Sequence, residues 1–331
     1  MNRKPKMLMA ALIAVSQSYA AKESIDTLKT YELQNVQVTS TRAGKHTPMA
    51  FSTLNKDQIK KINHGQDIPF LLSLTPSVTT TSDAGNGIGY TSLKVRGTDP
   101  SRINFTANGI PVNDAESSQV FFVNMSDFMS SVKDLQIQRG VGTSTNGSAA
   151  FGATVNMQTD APSLYPYLNF NASAGSYATH KESLRFGSGL LGNHWSFDGR
   201  LSNISSNGYI ERAASQLNSY FLQGAYTGDN TLVKFLTFNG IEKTYHAWDY
   251  ATKEQMEKYG RRYNPCGEYK DADGNTRYYD NQTDNYHQQN YQLIWNQLLG
   301  DRFNFNVALH YTAGFGYYEQ YMVGQKLAKY G

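Results

Sequence analysis

Three stretches hold the residue types from which binding or catalytic chemistry is usually built. Residues 138 to 152 read QRGVGTSTNGSAAFG, with four glycines among Ser and Thr, and have the outline of a loop that cradles phosphates. Such a loop opens directly into a helix, whose first N–H groups hold the anion, and it carries a Lys-Ser or Lys-Thr pair. No Lys follows here, and Ala153 to Asp160 alternates like a strand, so a wide connection between paired strands is expected instead. The second stretch, DADGNT at 271 to 276, mimics a calcium loop, but Gly274 stands fourth from Asp271 where such a loop has its glycine sixth. A hairpin turn at Asp273-Gly274 is the expectation. The third set is seven scattered histidines and Cys266, the only cysteine. They show no metal-ligand spacing and allow no internal disulfide. No enzyme, cofactor or metal site emerges from these residues.

The elements around them point to export. Residues 1 to 20 read as a secretory signal peptide: Arg3, Lys4 and Lys6, then the apolar run Met7 to Val15, then Ser18-Tyr19-Ala20 as a small-x-small cleavage site. The residue after Ala20 is alanine, so a lipid-anchored N-terminus is not expected. Net charge is +3 over 331 residues, too small to imply nucleic acid, and charged residues are 17 %. The chain holds 23 Tyr and 16 Phe. No second apolar run reaches the roughly 18 residues of a spanning helix.

After Ala161 the pattern has a period of two. WSFDGRLSN sets Trp195, Phe197 and Leu201 against Ser196, Asp198, Arg200 and Ser202. In FNFNVALHYTAGF, Phe303, Phe305, Val307, Leu309, Tyr311, Ala313 and Phe315 share one face. Alternation this long is the signature of an outer-membrane β-barrel; strands of a soluble sandwich usually run about five or six residues. Seven strands are expected, at 164–174, 181–190, 194–204, 216–227, 231–243, 286–299 and 302–316. Short connections should alternate with longer ones, which runs the first strand outward from the periplasm. Tyr167, Trp195, Tyr226 and Phe303 would then form a periplasmic aromatic girdle. An odd count of seven suggests the N-terminal part of a longer protein.

Residues 45 to 160 read as a compact α+β domain. Asn55 with Gln58 suits a helix start, as do Asp67 and Pro69, and Asn108-Gly109 suits a hairpin turn. A polar tether, residues 21 to 44, precedes it. SLKVRGTDPSRINFTANGIPVND and VKDLQIQRGVGTSTNGSAAFGATVNMQTD resemble plug segments of the TonB-dependent outer-membrane receptors and transporters. NVQVTS, residues 35 to 40, resembles their TonB box. Ala149, Ala150 and Ala153 stand where that family often has glycine, and no Pro follows Gly140.

The resemblance implies an α+β plug inside an antiparallel transmembrane β-barrel of about 22 strands when complete, with 161–331 supplying its first part. It implies residence in the outer membrane and uptake of a scarce nutrient such as a ferric siderophore, haem or cobalamin. The partners implied are a TonB-type energy-transducing protein of the inner membrane, the transported ligand and outer-membrane lipid, with a surface lipoprotein left open. Asn35, Val36, Gln37, Val38, Thr39 and Ser40 would couple to the energy source by strand addition. Arg96 and Arg139 would pair with wall carboxylates. The ligand would touch Asn86, Tyr90, Asn113, Asp114 and Glu116 at the plug's outer loops, with residues 82 to 90 as a flexible tip. The glycines of 138 to 152 would let the plug's last segment pack against the wall. A passive or adhesive barrel with an internal domain, an oligosaccharide importer of the SusC-like kind and a soluble secreted β protein are the alternatives.

Overall fold

The computed structural model describes residues 42–44, 47–141, 151–300, 302–322 and 324–329. Residues 1–41, with the signal-peptide and TonB-box-like segments, lie outside that set, as do 142–150.

The α+β domain is built on a five-stranded sheet. Its strands are β1 (Ala50–Asn55), β4 (Ile103–Ala107), β5 (Ile110–Pro111), β6 (Val132–Arg139) and β7 (Ala153–Thr159), in the order β1-β6-β7-β4-β5. Only the β4/β7 pair is parallel. A separate hairpin joins β2 (Val78–Ser82) to β3 (Thr91–Val95). Helix α1 (Lys56–Ile62) starts at Asn55, whose side chain accepts from the Gln58 N–H while Gln58 reaches back to the Asn55 N–H. Helix α2 (Ile68–Leu71) starts at Asp67 as expected, but Asp67 does not cap it. Its carboxylate accepts from the Thr91 hydroxyl at 3.0 Å, tying the helix start to β3. Asn108 and Gly109 both have positive φ, the geometry of a type I′ hairpin turn. Between β5 and β6 the chain makes two 3-10 turns, Phe122–Met125 and Phe128–Ser131.

The second unit is one antiparallel sheet of seven strands: β8 (Pro166–Gly175), β9 (Thr179–Ser188), β10 (Trp195–Ser206), β11 (Ser215–Thr227), β12 (Thr231–Tyr245), β15 (Thr283–Leu299) and β16 (Phe303–Tyr318). Its faces are the reverse of a soluble sheet. On β10 the polar Ser196, Asp198, Arg200 and Ser202 are buried, while Trp195, Phe197 and Leu201 are each 51 % exposed. Leu168, Phe170, Phe186, Leu222, Phe235, Leu293 and Trp295 extend that exposed apolar face. A surface of this kind is stable only against hydrocarbon, and the buried polar face lies against the α+β domain. Among the described residues no helix is long and apolar enough to cross a membrane.

Two sequence expectations need correction. The β8–β9 connection is only residues 176–178, as short as 228–230 at the other end, because Tyr177 and Ala178 adopt positive φ and close a tight turn. The longer connections are 207–214 and 246–282; the second holds helix α3 (Lys253–Tyr259) and the hairpin of β13 (Glu268–Lys270) and β14 (Thr276–Tyr278). Tyr167 is not in an outer girdle. Its neighbour Leu168 takes the outward position, and the Tyr167 ring lies 5.9 Å from the Arg185 guanidinium on the inner side. Trp195 and Tyr226 do meet on the outer face, with ring centroids 5.1 Å apart.

One apolar core spans both units. Phe105, Phe122, Phe128 and Met129 of the α+β domain cluster with Phe221, Leu236, Phe238 and Ile294 of the wall. At Gly240 of β12 the wall runs so close to the domain that any Cβ would collide with the Asn124 backbone.

Candidate functional site

At the end carrying the long connections, domain and wall part to leave a cavity of about 720 Å³. One side is the segment 111–121, which follows the β4–β5 hairpin; the other is formed by β12, β15 and β16. Asn113 builds the first side. Its carbonyl accepts from the Phe105 N–H at 2.8 Å, and its amide donates to the Ile103 and Ser118 carbonyls at 2.9 Å. That occupies both amide protons, so Asn113 shapes the loop. Asp114 accepts from the Ser117 N–H and hydroxyl and from the Glu116 N–H; the Ser117 bonds chiefly, then that of Glu116, hold its carboxyl below the usual range. Glu116 is exposed and also lines the cavity.

Tyr90 joins the two sides. Its hydroxyl lies against Asp284 of β15 and, at 3.4 Å, against Glu242 of β12, and its ring meets Trp248 edge-on at 6.0 Å. Burial first, then the two carboxylates, push the phenol far above its ordinary range, so it remains a proton donor. A single hydroxyl proton serves one of the two acids at a time.

Four of the five residues expected at the ligand, Tyr90, Asn113, Asp114 and Glu116, line this cavity, and Asn86 does not. The Asn86 amide donates to the Ser206 hydroxyl at the end of β10, 2.7 Å away. The loop 82–90 is likewise covered. The Ala84 carbonyl accepts from the Tyr209 and Ile210 N–H groups, and the Tyr250 hydroxyl donates to Asp83 at 2.9 Å. Of the three glycines that suggested a flexible tip, Gly85 lies against Tyr209, Gly87 against Phe70 and Gly89 against Ser215 of the wall.

The calcium-like stretch is a hairpin loop. Asp271 accepts from the Asp273 and Asn275 N–H groups and from Arg277, so its carboxylate is engaged within the turn. Cys266 is buried in the long connection beside Asp249, and burial pushes its thiol up to about 11, which suppresses the thiolate.

Residues 43–154 match the family model of the TonB-dependent receptor plug domain. That stretch of the chain is similar to a TonB-dependent receptor plug. Solved structures share the fold of plug and wall together. The ferric yersiniabactin uptake receptor FyuA of Yersinia pestis superposes with a TM-score of 0.63 at 10 % identity, over 83 % of this chain and 42 % of that one. The ferric-catecholate import receptor Fiu of E. coli K12 gives 0.62 at 12 %, over 82 % and 39 %. The alcaligin outer membrane receptor FauA of Bordetella pertussis gives 0.58 at 14 %, over 83 % and 40 %. The chain thus spans about 40 % of the length of these structures. No curated protein matches the sequence.

Ion pairs fix the plug to the wall away from the cavity. Asp127 of the plug, with no side-chain exposure, accepts from Lys181 at 2.5 Å and from the Ser202 hydroxyl at 2.7 Å, with Arg200 at 4.0 Å. Burial pushes the Asp127 carboxyl up, but Arg200 and Lys181 outweigh it and hold it at about 2. Asp160, where the plug ends, pairs with Lys56 of the plug and Arg185 of the wall. These contacts escaped the sequence reading; their one trace was the isolated charge on the polar face of a wall strand, as at Arg200.

Arg96 and Arg139 hold other positions. Arg96 is exposed, Arg139 donates to Ser52 within the plug, and among the described residues neither has a carboxylate at ion-pair distance. The glycine-rich stretch differs from expectation where it is described. Gly140 donates to the Gly152 carbonyl, and a Cβ at Gly152 would lie 2.5 Å from Thr98 and 2.8 Å from the Arg102 carbonyl. Gly152 thus admits the plug's own backbone, and Gly140 lies against the Arg96 side chain, neither against the wall; Gly142 and Gly147 fall in 142–150.

Proposed function

We propose that this chain forms the plug and first wall strands of an outer-membrane receptor that takes up a scarce small nutrient, of the ferric siderophore class, under the pull of a TonB-type protein. One observation carries the reading: the cavity at the long-loop end is bounded jointly by plug and wall, so a solute seated there touches both. Remodelling the plug would then break half of its contacts, which couples release to transport. Three of the similar structures are named as a ferric yersiniabactin uptake receptor, an alcaligin outer membrane receptor and a ferric-catecholate import receptor, which supports the substrate class. The exposed apolar face of the wall supports the membrane setting.

In this reading residues 1–20 direct export, 21–44 form a periplasmic tether, 45–160 are the plug and 161–331 begin the barrel. Val36, Val38 and Thr39 pair with an exposed edge of the energy-transducing partner. The test is uptake of iron-55 chelates by cells expressing the full-length receptor. Val38→Pro, which bends the segment out of a pairing conformation and removes a backbone donor, should abolish energised uptake and spare surface binding. Uptake that survives this change would refute the coupling role. A tag within 246–282 should be labelled on intact cells and one at 228–230 should not.

A further inference from the structure

The plug sheet has two unlike faces. Along β6, β7 and β4 the side chains of Leu135, Ile137, Val155, Met157 and Phe105 enter the apolar core. The residues between them face the other way, and across the register Thr53, Gln136, Asn156 and Thr106 stand side by side. The Gln136 amide donates to Thr53 at 3.3 Å and the Thr106 hydroxyl to Asn156 at 2.6 Å. Residues 42–44, at the end of the tether, lie on this polar face. The Ala43 N–H donates to the Gln136 side-chain carbonyl at 2.8 Å, and the Gln136 amide donates back to the Ala43 carbonyl at 3.1 Å. Arg42 pairs with Asp134 and donates to the Asn156 backbone carbonyl at 3.1 Å. Ala43 is buried without joining the apolar core, and the side chains of Arg42 and Asp134 are only 13 % and 19 % exposed.

We propose that residues 42–44 are a strap fastened by the Arg42–Asp134 pair, and that this strap is the first part of the plug to leave when the tether is pulled. The inference rests on the receptor reading above, which supplies the pull, and it names the contact that resists it. On leaving, the strap uncovers Asp134, Gln136 and the Asn156 carbonyl, which water can satisfy, and it strips nothing from Leu135 or Met157 on the apolar face. Release is therefore reversible without opening the core. The load then falls on Ala50, the start of β1. That strand lies at the sheet edge and pairs with β6, from Ala50 opposite Arg139 to Asn55 opposite Asp134. A load entering at Ala50 opens this ladder one pair at a time. Lys56 follows directly, donates to the Ser130 and Val132 carbonyls and pairs with Asp160. It closes the releasable segment at its far end.

The experiment holds the purified full-length receptor by its N-terminal tether at constant load in single-molecule force spectroscopy. It involves neither ligand nor transport. Each freed residue adds roughly 3.5 Å of extension, so the record shows which residues have come away. In the wild type the first event should free the chain only as far as β1, and the second should end at Lys56. Arg42→Ala should shorten the lifetime before the first event at least about tenfold and leave the second unchanged. Exchanging the charges, Arg42→Asp with Asp134→Arg, should restore part of that lifetime. An unchanged lifetime in Arg42→Ala overturns the fastening. No recovery in the exchanged pair overturns the role of the ion pair and leaves the loss to the Asn156 bond. A first wild-type event that runs beyond residue 55 overturns the strap as a separate part. None of these results touches the receptor reading, which fails instead if cells carrying the wild type take up no iron chelate.

Discussion

The plug meets the wall in two places that treat buried carboxylates in opposite ways. At Asp127 a single acid receives a lysine, an arginine and a serine hydroxyl from the wall. At Tyr90 two wall acids, Glu242 and Asp284, share one phenolic proton, and the Thr244 hydroxyl donates to Glu242 at 3.3 Å. Asp67 at the start of α2 adds a third acid on that side: it is 4 % exposed, and one of its oxygens has no partner. At the first contact the acid itself is enclosed, with both oxygens engaged by the wall. The second carries more acid than donor, which under the receptor reading proposed above suits a contact that admits a solute and later lets it go.

The comparison can be broken most severely at Asp127. Asp127→Ala leaves Lys181 and Arg200 buried without their counter-charge, which should cost about 3–5 kcal/mol. The measure is the heat-unfolding midpoint of the purified receptor, together with protease sensitivity of the plug. A midpoint unchanged from wild type would show that the pair does not hold the plug.

pH should move the two places in opposite directions. Burial raises the Asp67 carboxyl to about 8. A raised acid contributes stability that is full below its unfolded value near 4 and is lost as pH rises through about 8, at about 1.4 kcal/mol per pH unit between them. Asp127 is depressed to about 2, so its contribution is full above about 4 and is lost as pH falls through about 2. Hydrogen-exchange protection of α2 and β3 should therefore fall between pH 4 and 8 while residues 126–131 stay protected. Asp67→Asn should flatten the first profile alone.

A third change tests the close packing between the two places. Gly240→Val inserts a branched side chain where the Asn124 backbone already lies, and should destabilise by about 1–3 kcal/mol, read from the same unfolding midpoint. The smallest effect is expected for Tyr90→Phe. It removes the shared proton from Glu242 and Asp284 at a cost of about 1 kcal/mol in the same measurement. A loss as large as that at Asp127 would mean that the unmatched side also holds the plug.

Much of the architecture was legible without coordinates because it depends on local rules. The period of two in WSFDGRLSN and FNFNVALHYTAGF announces a strand with unlike faces wherever it occurs. Asn55 and Gln58 close a capping box within four residues of chain, and Asn108-Gly109 turns on its own φ preferences. The loop 113–118 was found for a related reason, since Asp114 bonds to Ser117 three residues away. The first wall connection was misjudged because Tyr177 and Ala178 carry no turn signal and take positive φ only within the closed hairpin.

What the sequence by itself determined, then, is where the wall strands run and, Tyr167 apart, which of their faces is apolar, because both follow from neighbours a few residues apart. Only the tertiary structure decided which charges meet. Lys181 reaches Asp127 across 54 residues, and Tyr90 reaches Asp284 across 194. Nothing in either local sequence records the partner. The same physics explains Asn86 and the glycines of 82–90: a small, flexible stretch reads alike whether it waits for a ligand or lies beneath Tyr209. The choice is made by the surfaces brought against it, and those come from strands more than a hundred residues away.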